Sequence, residues 1–101
     1  DANLTAAAQK RAEEIATVNS HTRPDGSKCF TVLKEYGVTA APIGENAAWG
    51  SVSPQEVVDA WMQSEGHRAN ILNPEARAMG VGYYYNSSST WGHQWIQIFT
   101  K

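Results

Sequence analysis

The stretch "AMGVGYYY" at residues 78–85, together with "HQWIQIFTK" at 93–101, decides the fold class. Both segments carry β-branched and aromatic residues in partial alternation, a pattern that favours β-strands. The sequence "NSSST" at 86–90 lies between them and is typical of a hairpin loop. Because the helical patterns all precede these strands, we predict an α+β domain with an antiparallel sheet.

The first third of the chain predicts two helices. Residues 4–19 are rich in Ala, Gln, Lys, Arg and Glu and follow Asn3, a candidate N-cap, so they are expected to form an amphipathic helix. The apolar stripe of this helix consists of Leu4, Ala8, Ala12 and Ile15. Ser27 is expected to cap a second helix that runs to about Tyr36 and stops at Gly37.

A third helix is predicted to begin after Ser53. Pro54 occupies its first position and Glu56 lies three residues after the cap, as in a capping box. The inward stripe of this helix is predicted to contain Val57, Val58, Trp61 and Met62. Residues 38–53, which precede the helix, are expected to be irregular or only briefly extended. Three indole rings are expected to pack in the core: Trp49, Trp61 and Trp95.

Length and composition predict one domain over residues 1–101, since 101 residues of which 42% are hydrophobic suffice to close a single core. The net charge of -2 and the scattered positions of the eight Lys and Arg argue against a nucleic-acid partner. No run of about 18 apolar residues is present, so no membrane span is predicted. Because the sequence begins at Asp1 without an initiator Met, we expect it to be a piece of a longer protein.

Cys29 is the single cysteine of the chain, which excludes an internal disulfide. It lies where apolar residues recur at helical spacing, and we interpret it as a small buried hydrophobe. No pairing of cysteines indicates a structural zinc site.

A small set of polar residues lies outside the predicted core stripes and could carry chemistry: His21, Glu45, Ser64, Glu65, His67, Arg68, Asn70 and His93. Two imidazoles and a carboxylate can hold a divalent ion or share proton transfer. However, His21, Glu45 and His67 are each separated by more than twenty residues. Spacing alone therefore leaves two alternatives open, a shared site or unrelated loop and cap residues. Nothing like a nucleophile elbow surrounds Ser64.

Several motifs together resemble the bacterial branch of the CAP superfamily, which includes cysteine-rich secretory proteins, antigen-5 allergens and class-one pathogenesis-related proteins. They are "HTRPDGS" (21–27), "GENAAWG" (44–50), "WMQSEGHRANILNP" (61–74), "MGVGYYY" (79–85) and "WIQIF" (95–99). The resemblance covers nearly the whole chain. It implies a three-layer α-β-α sandwich with a small antiparallel sheet, although the cysteine framework of the family is missing here.

The resemblance also implies a central cleft lined by two histidines and two acidic residues, which holds a divalent ion such as zinc in some members. The matching positions are His21, Glu45 and His67, with His67 expected at the end of the third helix. The fourth position falls on Ser64, a neutral hydroxyl in place of a carboxylate. Whether the neighbouring Glu65 substitutes for the missing acid is left open.

Other residues near this predicted cleft are given structural roles. Arg68 and Asn70 are expected to brace the turn that follows His67, and His93 is interpreted as a surface residue. A purely structural role for His67, satisfying buried backbone groups, is the alternative to a place in a cleft.

The function that the resemblance implies is that of a secreted, extracellular or cell-surface binding module. Its partner would be a lipid, a cell-wall component or a protein, and the domain is expected to be a monomer. No cofactor is required, and a divalent cation such as zinc, held by His21 and His67, is optional. The alternative is a metal-dependent hydrolase that uses His21, Glu45 and His67. A third hypothesis is a structural domain with a vestigial cleft.

Overall fold

The computed structural model describes residues 2–18, 20–88 and 92–101. The helices are α1 (Ala2–Ile15), α2 (Thr31–Glu35), α3 (Pro54–Gln63) and α4 (Glu65–Ile71). The strands are β1 (Pro42–Trp49), β2 (Ala78–Tyr85) and β3 (His93–Thr100), which form one antiparallel sheet in the order β1-β3-β2. None of the helices in these described ranges has the length and apolar character needed to cross a bilayer.

The sheet lies between two helical layers. On one face, Ile96 and Ile98 of the central strand β3 pack with Leu4 and Ile15 of α1. On the other face, Trp95 packs with residues of α3 and with Ile71 of α4. Every residue of β3 from Gln94 to Thr100 is buried, as expected for a central strand that is covered on both faces. The α+β class and the three-layer α-β-α sandwich are confirmed.

The first two helices differ from the prediction at their ends. Helix α1 already includes Asn3, so this residue is not an N-cap, and the helix stops at Ile15. Ser27 does not cap α2, which begins four residues later; its hydroxyl donates to Asp25 instead. The predicted stop at Gly37 is confirmed. Gly37 has φ +74, and the amide of Val38 donates to the carbonyl of Leu33, the closing bond of a Schellman motif.

The third helix starts as predicted, because the Ser53 hydroxyl accepts a hydrogen bond from the amide of Glu56. Its inward stripe is narrower than predicted: Val57 is buried, but Val58 is 39% exposed. Its end also differs, since Ser64 is extended (φ -99, ψ 124) and separates α3 from α4. This break puts His67 in a separate short helix, so its predicted place at the end of the third helix is wrong.

The remaining differences concern two strands and their loop. Residues 42–49, expected to be irregular or briefly extended, form the full edge strand β1. The predicted hairpin of β2 and β3 is confirmed, and the amide of Asn86 donates to the carbonyl of Gly92 across it. Two residues of the predicted loop, at positions 89 and 90, lie outside the described residues.

The predicted core roles of the tryptophans are confirmed. Trp61 and Trp95 are buried, and Trp49 is partly buried against the α1 side of the core. Each of these three indole N–H groups donates to a backbone carbonyl, so none of them is buried without a hydrogen-bond partner. Cys29 is buried, as predicted. His93, interpreted as a surface residue, is partly exposed, and its Nδ1 lies 2.6 Å from the hydroxyl of Tyr83.

Candidate functional site

His21 and Glu45 meet although they are far apart in sequence. The Nδ1 atom of His21 lies 2.6 Å from Oε1 of Glu45. The two side chains differ sharply in exposure: that of His21 is 57% exposed and that of Glu45 is 1% exposed. Glu45 lies in β1 and His21 in the loop that follows α1, so the sheet supplies a buried carboxylate for a histidine that reaches solvent.

Arg11 of α1 holds the other side of the same carboxylate. Its Nε atom donates to Oε2 of Glu45 at 2.8 Å and one terminal nitrogen donates to Oε1 at 3.1 Å. Burial acts to lower the pKa of Arg11, but the hydrogen bonds and charges of Glu45 and Glu14 outweigh it and raise that pKa. Both carboxylate oxygens of Glu45 therefore already have hydrogen-bonding partners within the protein.

The ion network continues from Arg11 away from the histidine. Glu14 accepts hydrogen bonds from Arg11 and from Arg23, and Arg23 also binds Glu35 at the surface. Burial acts to raise the pKa of Glu14, but the hydrogen bonds from Arg23 and Arg11 outweigh it and hold the pKa below its usual value. The hydrogen bond from Arg23 likewise lowers the pKa of Glu35. This network ties the loop of His21 to α1 and α2.

The lowered pKa of Glu14 predicts acid sensitivity. A carboxyl group with a folded-state pKa below its ordinary value of 4.5 stabilises the fold above that pH, and this contribution is lost as the pH falls through the folded-state pKa. We expect the free energy of unfolding, measured by urea titration, to drop on acidification below about pH 4.5. In Glu14→Gln the drop should be smaller; an unchanged slope between pH 5 and pH 3 would contradict the prediction.

Cys29 belongs to the same cluster, which sequence reasoning missed. Three atoms that could bind a metal ion, one from each of His21, Cys29 and Glu45, lie within 4.8 Å of one another. Burial, with a further contribution from Glu45, raises the pKa of the Cys29 thiol to about 11. The thiol is protonated at neutral pH, so it is not an activated nucleophile, and a metal ion that bound there would have to displace its proton.

Arg11 was also missed, although the sequence contained a signal for it. Residues 4, 8, 11 and 15 follow the i, i+4, i+7, i+11 spacing of one helix face, so Arg11 falls on the buried stripe of α1. A fully buried arginine at such a position requires a carboxylate partner. For Cys29 no comparable signal exists, because its neighbours meet only through the fold.

Asn46, the residue after Glu45, anchors α4 to the sheet. Consecutive strand residues point to opposite faces, so Asn46 faces α4 while Glu45 faces α1. The amide nitrogen of Asn46 donates to the backbone carbonyl of His67 at 3.1 Å and to Gln97 at 3.1 Å. Asn70 in turn donates to the side-chain oxygen of Asn46 at 2.9 Å. One dipeptide of the edge strand β1 thus contacts His21 through the side chain of Glu45 and the helix of His67 through the side chain of Asn46.

His67 is half-buried on α4. Burial lowers its pKa, and the nearby charge of His21 lowers it further. With its pKa lowered, the His67 ring is in its neutral, metal-binding form at neutral pH.

The other predicted site residues surround α4. Ser64 precedes it and makes no capping hydrogen bond to it, while Glu65 is exposed in its first turn. Arg68 donates to the carbonyl of Met62, and Asn70 reaches the backbone carbonyl of Glu45 as well as Asn46. These side chains thus contact the end of α3 and the strand β1 rather than the turn after His67, which they were expected to brace.

Comparison with protein families matches residues 1–99 to the model of the CAP family, described as the cysteine-rich secretory protein family. The chain is 41% identical over 98 residues to the uncharacterized protein YkwD of Bacillus subtilis (strain 168), covering 95% of this chain and 38% of that protein. It is 40% identical over 79 residues to the uncharacterized membrane protein YlbC of the same strain, covering 68% of this chain and 23% of that protein.

Two solved structures are similar in fold. A crystal structure of an extracellular protein containing a SCP domain, from Bacillus anthracis str. Ames, has a TM-score of 0.83 and 26% identity, covering 98% of this chain and 32% of that one. An outer surface protein from Borrelia burgdorferi has a TM-score of 0.77 and 21% identity, covering 100% of this chain and 74% of that one. The chain spans less than two fifths of the length of the curated relatives it matches.

Proposed function

This chain belongs to the CAP family of cysteine-rich secretory proteins, and on that premise we propose that it is an extracellular binding domain whose ligand is held at the cleft of His21 and His67. A divalent cation such as zinc completes this cleft. The observation that carries the proposal is the 2.6 Å contact between Glu45 and Nδ1 of an exposed histidine.

The proposed location outside the cell rests on the similar proteins. The structures of closely similar fold belong to an extracellular protein and to an outer surface protein. A ligand met in such a setting is a cell-wall component, a lipid or a protein. A location outside the cell does not require a disulfide in this domain. The ion network of Arg11 and Arg23 ties the loop of His21 to α1 and α2, as disulfides would.

The contact with Glu45 fixes how His21 can act. A carboxylate that accepts a hydrogen bond from one ring nitrogen holds the ring in one tautomer and leaves the other nitrogen as a lone-pair donor. Glu45 occupies Nδ1, so Nε2 is the nitrogen that is available; among the described residues it has no hydrogen-bond partner. Glu45 therefore orients the ring of His21, and Arg11 in turn holds the carboxylate of Glu45 in place.

His67 supplies the second imidazole. Its lowered pKa keeps it neutral at neutral pH, as a zinc ligand must be. The two imidazoles are ligands of a type that zinc binds. The site carries less negative charge than expected, however, because Ser64 is neutral at the position where a carboxylate is expected. A bound zinc ion would supply Lewis acidity toward a carbonyl or anionic group of the ligand. Two neutral imidazoles leave other coordination positions open for that ligand.

The hydrolase alternative receives less support from the same geometry. A general base must have a free lone pair directed at the reacting water. Both oxygens of Glu45 are bound by Arg11 and His21, and the side chain is 1% exposed. The thiol of Cys29, with a pKa of about 11, is not an activated nucleophile. A binding function therefore accounts for the site better than catalysis does.

Zinc titration followed by histidine NMR tests the proposal. We expect the ring nitrogens of His21 and His67 to shift together near neutral pH, with Nδ1 of His21 remaining protonated. His93, the third histidine of the chain, is bound to Tyr83 and serves as the internal control whose signals stay constant. Replacing His67 with alanine should weaken zinc binding at least about tenfold. Independent responses of the two rings, or equal shifts at His93, would remove the basis for the cleft.

A further inference from the structure

The strand β2 lies at an edge of the sheet, since within the described part of the chain it pairs only with β3. The backbone N–H and C=O groups of an edge strand point alternately toward the neighbouring strand and away from the sheet. Those of Tyr83 point away, because both bind the side-chain amide of Gln9. By this alternation the outward backbone groups of β2 are those of Met79, Val81, Tyr83 and Tyr85.

The same four residues also expose apolar side chains, each between 38% and 53% exposed. Natural proteins usually protect an edge strand from pairing with another chain by a charged side chain, a proline or a β-bulge. β2 has no charged residue and no proline, and its pairing with β3 runs without a register shift. The strand therefore lacks the usual protection along its whole length.

The side-chain amide of Gln9 covers the middle of this edge. Its Nε2 atom donates to the carbonyl of Tyr83 at 2.7 Å, and its Oε1 atom accepts from the amide of Tyr83 at 3.0 Å. These are the two hydrogen bonds that a residue of a further strand would make. The helix holds Gln9 in this place, since α1 lies so close to β2 that a Cβ at Gly82 would be 2.6 Å from the backbone nitrogen of Gln9. We propose that Gln9 prevents β2 from pairing with β2 of a second copy of this chain.

The partner that this edge fits is a second copy because the edge is complementary to itself. In a two-fold antiparallel pairing about Gly82, Val81 lies opposite Tyr83 of the other copy, and Met79 lies opposite Tyr85. All four residues carry outward backbone groups, so each opposed pair exchanges two hydrogen bonds. The exposed side chains of both strands then lie side by side on one face of a continuous sheet and leave water together. Such an interface is isologous and closes at two copies.

Analytical ultracentrifugation of Gln9→Ala tests the proposal. Alanine keeps the helical backbone of α1 but leaves the outward groups of Tyr83 without the amide. We expect the unmodified chain to stay monomeric, whereas the mass of Gln9→Ala should approach twice the monomer mass as the concentration rises. In dilute Gln9→Ala the Tyr83 amide should exchange with deuterium about tenfold faster than in the unmodified chain, and this exchange should slow again where the dimer forms.

Further variants separate edge pairing from unspecific association. Gln55→Ala is the matched control: it removes a glutamine that binds Asp59 on α3 and leaves the β2 edge covered, so this variant should stay monomeric. Gln9→Ser, whose hydroxyl is too short to reach Tyr83, should dimerise as Gln9→Ala does. Gln9→Ala/Val81→Lys places a charge on the uncovered edge and should return to the monomer.

The inference is independent of the proposed function, because neither Gln9 nor β2 supplies a residue to the histidine cleft. Zinc binding should therefore be the same in all these variants. Four results would each overturn the proposal: folded Gln9→Ala and Gln9→Ser that stay monomeric at millimolar concentration, a dimer that persists with Val81→Lys, assemblies larger than a dimer, or a dimer of the unmodified chain through β2.

Discussion

Replacing Gly82 with alanine is expected to destabilise the domain by about 3 kcal/mol or more, or to prevent its folding. A Cβ atom at this position would lie 2.2 Å from the backbone carbonyl oxygen of Ala8 and 2.4 Å from its carbonyl carbon. Both contacts are with the backbone of α1, which cannot rotate away as a flexible side chain can. To relieve them, the whole helix would have to move off the sheet and open the core at Leu4 and Ile15.

The measurement is the free energy of unfolding from urea titration, followed by tryptophan fluorescence. Gly66→Ala is the matched control, because a Cβ at Gly66 meets nothing within 4 Å. Gly66 lies inside α4, where alanine is favoured over glycine by up to about 1 kcal/mol, so this control should be neutral or stabilising. Equal stability of Gly82→Ala and the unmodified chain would show that α1 does not rest on the backbone of β2.

Replacing Arg11 with methionine is expected to lower the free energy of unfolding by about 3–5 kcal/mol. Arg11 is fully buried and donates to both Glu45 and Glu14. Its loss leaves the buried carboxylate of Glu45 with only the partly exposed His21 as partner. Removing one member of a buried ion pair costs far more than removing an exposed ion pair, because the remaining charge has no solvent around it.

Two controls separate the charge effect from a packing effect. Lys10→Met changes the adjacent residue of α1 in the same way, without touching the buried network, and should alter stability by less than about 0.5 kcal/mol. The double variant Arg11→Met/Glu45→Gln should be less destabilised than the sum of the two single variants, since it removes both partners of the pair. Additive losses would mean that Arg11 acts through packing alone.

The two cleft histidines show how far motif reasoning reaches. The HTRPDGS, GEN and GHR motifs indicated His21, Glu45 and His67 as candidates, and the structure brings His21 and Glu45 into contact. The arrangement behind that contact was not predictable from spacing. Arg11 is thirty-four residues from Glu45, and Cys29 joins the cluster from a turn whose sequence predicts a helix. Such contacts depend on how α1 and the loop of His21 are placed against β1.

The strand β1 illustrates a second limit. Its sequence, "PIGENAAW", contains proline, glycine and two polar residues, and these disfavour a strand by propensity. It forms because β3 pairs with it over seven residue pairs and both faces of the sheet are covered by helices. Glu45 and Asn46 are tolerated in its middle because each finds buried partners on its own face, Arg11 on one and Gln97 on the other.

Local patterns in the sequence by themselves determined the α+β class, the start of α3 at its Ser-Pro cap, the stop of α2 at Gly37, and the hairpin of β2 and β3. Each of these depends on residues close together in the chain, where capping, turn conformation and periodicity act directly. Only the tertiary structure decided that Ser64 divides the third helix, that Glu45 is buried between Arg11 and His21, and that the glycines of β2 admit the backbone of α1. Those features come from long-range packing and from the need to pair every buried charge, which no local stretch of sequence encodes.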